Sequence, residues 1–226
     1  MKYSEIFYTL QGEGKLIGVP SVFFRTSSCN LRCSWCDTPY TSWSPEDKEI
    51  TVAKAFDEIT QFGVEHVVIT GGEPFLQGKE LAKLCEMLFA KGHYITIETN
   101  ATIFVPVKAH LISMSPKLSN STPLNDERLQ KRHERDRLKQ KIIHSFLDNY
   151  ECQTKFVIQD SEDIQEVQYL VEQVPIPKET VVLMPQGIEE AEVNERQKWL
   201  AELCKEAGYR YSPRLHLNIW GSKRGT

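Results

Sequence analysis

The chain of 226 residues reads as a parallel α/β fold of about six strands with helical crossovers, on two observations. Short apolar runs without polar alternation, of which His66-Val67-Val68-Ile69-Thr70 is the clearest, are too short for helices and suit strands buried on both faces. Between these runs apolar residues fall at helical spacing, so strand and helix alternate, as they do when crossovers return a chain to one parallel sheet. An open sheet and an incomplete barrel both satisfy that alternation, and in either one ligands gather at the carboxyl ends of the strands.

Taken in order, Glu5-Ile-Phe-Tyr-Thr-Leu10 has strand composition and runs into Gln11-Gly12-Glu13-Gly14, whose glycines permit a tight turn. Gly18-Val-Pro20 breaks the pattern before a second strand, Ser21 to Arg25, delivers the chain to a cysteine-rich loop. From Thr51 the period becomes helical: Val52, Ala55, Phe56, Ile59 and Phe62 share a face, Thr51 is the N-cap and Gly63 lies just past the end. Gly71-Gly72-Glu73-Pro74 closes the strand His66 to Thr70. A helix from Lys79 to Lys91 turns Leu81, Leu84 and Leu88 inward, and strands Tyr94 to Glu98 and Leu111 to Ser115 follow. Beyond a charged insert come strand Lys155 to Ile158, helix Glu162 to Gln173, strand Val181 to Met184, a helix near Glu190 to Ala207, and strand Tyr209 to Tyr211. The loop at Cys29, Gly71 to Pro74, Glu98-Thr99-Asn100, Ser115-Pro116-Lys117 and Pro185-Gln186 each follow a strand, so they should converge on one rim.

With 40% hydrophobic residues, a net charge of -4 and a pI near 5.9, residues 1–226 read as a single globular domain without general affinity for nucleic acid. No run approaches the ~20 apolar residues that span a bilayer, and Met1 to Ile6 lacks the apolar core of a signal peptide, so a cytoplasmic protein with no membrane partner is expected. The insert near 126–149 carries seven cations between Arg128 and Lys141 against Glu134 and Asp136. Such runs mark a solvated helix face, and no site is assigned to it.

Cys29, Cys33 and Cys36 lie in a C-x3-C-x2-C pattern with no fourth cysteine nearby. A structural zinc site is closed by four ligands, whereas three thiolates on a 4Fe-4S cluster leave one iron open. Cys85, Cys152 and Cys204 sit far away in regular segments and read as small buried apolar residues. The plain alternative is a zinc loop missing a ligand.

The spacing, with Trp35 before the last cysteine, resembles the radical S-adenosylmethionine (SAM) superfamily, in which SAM chelates the open iron. Gly71-Gly72-Glu73-Pro74 resembles that superfamily's segment for the SAM amino group. More narrowly, Thr9 to Gly14, Arg25, Cys36-Asp37-Thr38, Ile69 to Pro74, Ile97 to Asn100, Ser115-Pro116-Lys117, Leu215-His216 and Trp220 to Gly225 together resemble the 7-carboxy-7-deazaguanine synthase family.

That resemblance implies an incomplete (partial) TIM-like barrel and a Mg2+-dependent carbon-nitrogen lyase. The implied reaction takes 6-carboxy-5,6,7,8-tetrahydropterin to 7-carboxy-7-deazaguanine with loss of ammonia, toward queuosine and other 7-deazapurines. Leu10, Gln11, Gly12, Arg25 and Thr70 would hold the pterin, and Trp35, Cys36 and Asp37 the SAM adenine. Gly72 would receive the SAM amino group, Glu98, Ser115, Pro116, Lys117 and Gln186 the ribose or carboxylate, and Thr38 would bind magnesium. Cleaving SAM calls for a potential on the order of -400 mV, hence a flavodoxin or ferredoxin-type electron donor; a homodimer is also implied. The rival readings are an activase for a glycyl-radical enzyme, which gives Gln11 to Gly14 no role, and a non-enzymatic iron-sulfur electron carrier, which should bring four cysteines.

Overall fold

The computed structural model spans Met1–Thr226. The aromatic and β-branched start of the chain forms β1 (Lys2–Leu10), which turns back through Gly14 and Gly18 into antiparallel β2 (Pro20–Thr26). After the cysteine loop come the single turn α1 (Pro39–Ser42) and the two-residue β3 (Lys48–Glu49), which pairs with the outer edge of β1. Helix α2 (Val52–Thr60) begins where the Thr51 hydroxyl accepts the Lys54 N–H at 3.2 Å, and it ends before Gly63 at φ +65°. The chain continues through β4 (His66–Gly71), α3 (Gly78–Ala90), β5 (Tyr94–Thr99) and β6 (Leu111–Met114). The charged insert forms α4 (Glu127–Asp136) and α5 (Gln140–Asn149). Then follow β7 (Cys152–Ile158), α6 (Asp163–Gln173), β8 (Val181–Pro185), α7 (Glu190–Ala207), β9 (Arg210–Tyr211) and α8 (Leu215–Trp220).

The nine strands form one sheet in the order β3-β1-β2-β4-β5-β6-β7-β8-β9. Every pair from β2 to β9 is parallel, so β2, β4, β5, β6, β7 and β8 supply the expected six parallel strands, with the short β9 beyond them. The first strand departs from that pattern, because the tight turn after it returns β2 antiparallel to it. Sheet order runs from β3 to β9 without joining them, which leaves an incomplete barrel rather than a closed one.

Side chains alternate along each strand, and the two faces differ in kind. Phe24, Ile69, Ile97, Met114, Phe156 and Leu183 belong to the apolar core, with Leu81, Leu84 and Leu88 of α3 and Val167 and Leu170 of α6. Each such fully buried side chain contributes roughly 1.5–3 kcal/mol. The inner face instead carries Arg25, Thr70, Thr96, Glu98, Ser113, Gln153 and Lys155 in register across β2 to β7. A charged interior is uneconomical for folding alone, so this face is where a ligand belongs.

The insert differs from the expected solvated face. Arg128, Lys131, Arg132 and Arg135 are exposed, but His133 is 2% exposed, and Ile143 and Phe146 of α5 join the core. No helix is long and apolar enough to cross a membrane.

Candidate functional site

The strand ends converge as expected on one cavity, whose near wall is made largely of backbone. At the end of β4, Gly71 has φ +130°, and a Cβ there would meet the Thr26 backbone. Gly72 N–H donates to the Thr26 carbonyl at 3.2 Å and Glu73 N–H to the Ser28 carbonyl at 2.9 Å, so the glycine turn lies flat against the start of the cysteine loop. A Cβ on Gly72 would collide with the Ser28 carbonyl and stand 2.8 Å from that of Thr41. Glu73 is fully buried and accepts from Phe75 N–H (3.1 Å), Thr99 O–H (2.9 Å) and Asn100 N–H (2.8 Å), stapling the β4 and β5 loops together. Burial pushes its carboxyl up to about 7 against those donors.

Cys29, Cys33 and Cys36 all line this cavity. The Cys29 sulfur accepts from Leu31 N–H at 3.4 Å and Asn100 Nδ2–H at 3.8 Å, while Cys36 Sγ lies 3.1 Å from Ser42 Oγ. Burial pushes the Cys29 and Cys33 thiols up to about 11 and about 12, so they hold their protons until a cation displaces them. A four-iron cluster needs each thiolate on its own iron, and three thiols lining one cavity, with polar groups beside the Cys29 and Cys36 sulfurs, fit that donor set.

The far wall is a cage of buried charges. Lys155, its side chain 4% exposed, donates to Glu13 at 3.0 Å and Glu98 at 3.2 Å. Arg214 pairs with Glu13 at 3.2 Å and also binds Asp37 and the Gly187 carbonyl. Burial would raise the Glu13 carboxyl, but Lys155 and Arg214, with His216, overcome it and hold it well below its ordinary 4.5. Glu98 also accepts from Thr70 O–H at 2.9 Å and Gln11 Nε2–H at 3.3 Å. The Leu215 N–H donates to the Gly12 carbonyl at 2.9 Å, which binds the first loop to the last helix.

At the mouth, Arg25 donates through Nε to Glu5 at 2.7 Å, leaving its two terminal nitrogens without a protein partner. Tyr40 O–H (2.9 Å) and Arg224 Nε–H (3.0 Å) donate to the same carboxylate, and the Arg224 guanidinium lies 4.1 Å over the Tyr40 ring. The C-terminal tail is thereby drawn across the opening. Lys117 Nζ donates to Ser115 Oγ at 2.7 Å and sits 5.7 Å over Trp35.

Leu10, Gln11, Gly12, Arg25, Cys29, Cys33, Trp35, Cys36, Asp37, Thr38, Thr70, Gly72, Glu98, Ser115, Lys117 and Gln186 all line the cavity. Pro116 does not; it is buried behind the wall between Ser115 and Lys117. Sequence reasoning assigned no role to Glu13, Lys155, Arg214, His216 or Arg224, which line the cavity as well. The signal for Lys155 was available, because a lysine inside the strand run Lys155 to Ile158 has no solvent to face.

The Radical SAM superfamily model matches residues 24–116. A curated 7-carboxy-7-deazaguanine synthase of Halobacterium salinarum is 42% identical over 96% of this chain and 89% of its own length. The chain belongs to the 7-carboxy-7-deazaguanine synthase family. A second family member, from Rhodopirellula baltica, is 40% identical over 99% of the chain and 88% of its own length. Among solved structures, QueE from Escherichia coli superposes with a TM-score of 0.72 at 23% identity, covering 95% of this chain and 93% of that one. Streptococcus suis SuiB bound to S-adenosylmethionine gives a TM-score of 0.56 at 16% identity over 88% of this chain and 51% of its own. At those identities the likeness concerns the fold, and it agrees with the partial barrel of the family.

Proposed function

We propose that the chain is a radical SAM enzyme that converts 6-carboxy-5,6,7,8-tetrahydropterin to 7-carboxy-7-deazaguanine with loss of ammonia, a carbon-nitrogen lyase of the queuosine and 7-deazapurine route. The observation that carries the reading is one cavity holding three cysteine thiols and, at its mouth, an arginine whose terminal nitrogens have no partner. Bound together, a 4Fe-4S cluster and SAM supply one-electron chemistry that takes a hydrogen atom from the substrate.

The chain's own residues hold and orient. Cys29, Cys33 and Cys36 bind the cluster. Gly72, with no room for a side chain, offers backbone to the SAM amino group; Trp35, Cys36 and Asp37 line the adenine. Glu98, Ser115, Pro116, Lys117 and Gln186 serve the ribose and carboxylate, Pro116 by shaping the turn. Arg25 grips the pterin carboxylate with its two terminal nitrogens while Glu5 fixes Nε, a geometry a lysine does not reproduce. Leu10, Gln11, Gly12 and Thr70 hold the rest of the pterin. Thr38 precedes α1 without capping it, and its hydroxyl lies 3.4 Å from both Asp37 Oδ1 and Thr41 Oγ1 on the cavity lining, where it would give one oxygen to Mg2+, which needs few protein oxygens and keeps several waters. Residues 1–226 act as one domain, in a cytoplasmic homodimer reduced by a flavodoxin or ferredoxin-type donor. Neither the activase nor the electron-carrier reading gives the Glu13-Lys155-Glu98 cage a role.

Anaerobic incubation of the reconstituted, reduced protein with SAM and substrate should yield 7-carboxy-7-deazaguanine by mass spectrometry, with deuterium from C6 passing to 5'-deoxyadenosine or SAM. Arg25→Ala should weaken substrate binding by about 2–5 kcal/mol while SAM binding is kept. Thr38→Ala should blunt the magnesium response alone. Cleavage of SAM without product would overturn the pterin assignment and favour an activase.

A further inference from the structure

His133 is 2% exposed although it stands on a helix whose other cations face water. Its Nδ1 accepts the Arg32 backbone N–H at 3.3 Å, which places the ring proton on Nε2, 2.9 Å from Ser121 Oγ. Ser121 in turn donates its hydroxyl proton to the Leu118 carbonyl at 2.6 Å, so the relay has a donor and an acceptor at every link. The turn leading into α4 holds the next part of the cysteine loop. Ser34 N–H donates to the Ser121 carbonyl at 2.8 Å, and the Trp35 indole N–H to the Asn120 carbonyl at 3.0 Å. Arg32, Ser34 and Trp35 alternate with Cys33 and Cys36, so each of these bonds falls beside a thiol-bearing residue.

The far side of the insert is anchored as firmly. Arg137, its side chain 11% exposed, pairs with Glu134 at 2.8 Å and Glu166 at 2.5 Å and donates to the Lys117 carbonyl at 3.0 Å. Asn120 Nδ2 donates to the Val157 carbonyl at 3.0 Å and to Asp163 at 2.7 Å. The segment that grips the cysteine loop is thus itself fixed to β7, α6 and the Ser115-Lys117 turn.

We infer that α4 and the turn before it form a clamp that sets the Cys33-Cys36 arm in place before any cluster arrives, with His133 as its positioning residue. The inference rests on the cluster reading of the three cysteines. A loop ordered in advance does not lose that freedom on binding, so the clamp should slow loss of the cluster as well as ease its uptake. Side-chain topology supplies the controls. Asparagine carries an oxygen where histidine has Nδ1 and can still accept the Arg32 N–H; glutamine reaches only the Nε2 position; leucine replaces neither.

The test has two arms on His133→Asn, His133→Gln and His133→Leu in the full chain. Without iron, amide hydrogen exchange at Arg32 should quicken about tenfold in the Gln and Leu variants, the effect of one hydrogen bond, and stay within about threefold of wild type for Asn. After anaerobic reconstitution, iron loss to a ferrous chelator should follow the same order. Equal exchange in all four proteins, or Asn as fast as Leu, would show that His133 only fills space. Should Leu fail to fold by far-UV circular dichroism, the Asn and Gln pair decides. Failure of the wild type to take up iron would count against the cluster reading, while the iron-free arm still judges the clamp.

Discussion

Around Gly71 and Gly72 the cavity wall is drawn mostly by backbone, and from Lys155 to Arg224 mostly by charged side chains. On the first arc, Gly71 and Gly72 lie against the Thr26 and Ser28 carbonyls, and Glu73 is spent on backbone and hydroxyl donors. On the second, Lys155 of β7, Arg214 just before α8 and Arg224 in the tail meet acidic partners from the first fifty residues, Lys155 pairing with Glu98 of β5 as well. A wall of backbone tolerates almost no change in residue type, because the shape is the function. A wall of charges tolerates change only in matched sets, because each lost partner leaves another buried and unpaired.

The largest effect should come from the thiols on the first arc. Cys33→Ala should abolish the 4Fe-4S absorption after anaerobic reconstitution. Replacing Cys85, Cys152 and Cys204 together by alanine should leave the iron content at the wild-type level, since Cys85 and Cys204 are buried away from the cavity and Cys152 does not line it. Loss of the cluster in that triple variant would move a ligand to the wrong part of the chain.

The second arc should answer in stability. Lys155→Met leaves Glu13 and Glu98 facing each other without their cation and should cost about 3–5 kcal/mol in denaturant unfolding near neutral pH. The pH dependence carries a sign. Glu13 is held below its ordinary 4.5 in the folded protein, so its contribution is present above that pH and is lost as the pH falls below it. Without Lys155, burial gains ground over the remaining cations, so the gap between variant and wild type should narrow on acidification. A gap that stays unchanged as the pH falls well below 4.5 would mean that the cage is not what the lysine stabilises.

Glycines compare the arcs directly. Gly72→Ala meets carbonyl oxygens that cannot move alone, whereas Gly12→Ala meets only the His216 side chain. SAM affinity, measured by isothermal titration of the reconstituted protein, should fall about tenfold or more in Gly72→Ala, as expected when about 1.4 kcal/mol or more is lost. In Gly12→Ala it should change by less, with the His216 ring rotating aside. The reverse order would assign SAM to the charged arc.

The same contrast explains what was legible in the sequence. Residues that shape backbone are contiguous, so Cys29 to Thr38 and Gly71 to Pro74 could be read as words, and short apolar runs such as His66 to Thr70, set between stretches of helical spacing, revealed the sheet. Residues that act through side chains from different elements were read one at a time and passed over. Arg214 bonds Glu13, which is 201 positions earlier, and no local pattern records that pairing. The insert misled for a related reason: its charges were counted as one face, although His133 and Arg137 point inward while Arg128, Lys131, Arg132 and Arg135 are exposed.

The smallest effect should therefore come from that outward face, and it sharpens the comparison by being small. Lys131 pairs only with Glu127, both side chains more than 70% exposed (74% and 78%), and Arg128 and Arg132 have no partner at all. Water and salt screen such charges, so the triple change Arg128→Ala, Lys131→Ala, Arg132→Ala should leave the melting temperature within about 2 °C of wild type. Alanine also favours helix slightly, which offsets the lost pair. Iron retention should be unaltered, because the bonds to the cysteine loop leave from His133, Ser121 and Asn120 on the inner side. A loss of iron in this variant, with melting unchanged, would show that the outward charges also steady the cysteine loop, and the division of α4 into a gripping face and a solvated one would have to be redrawn.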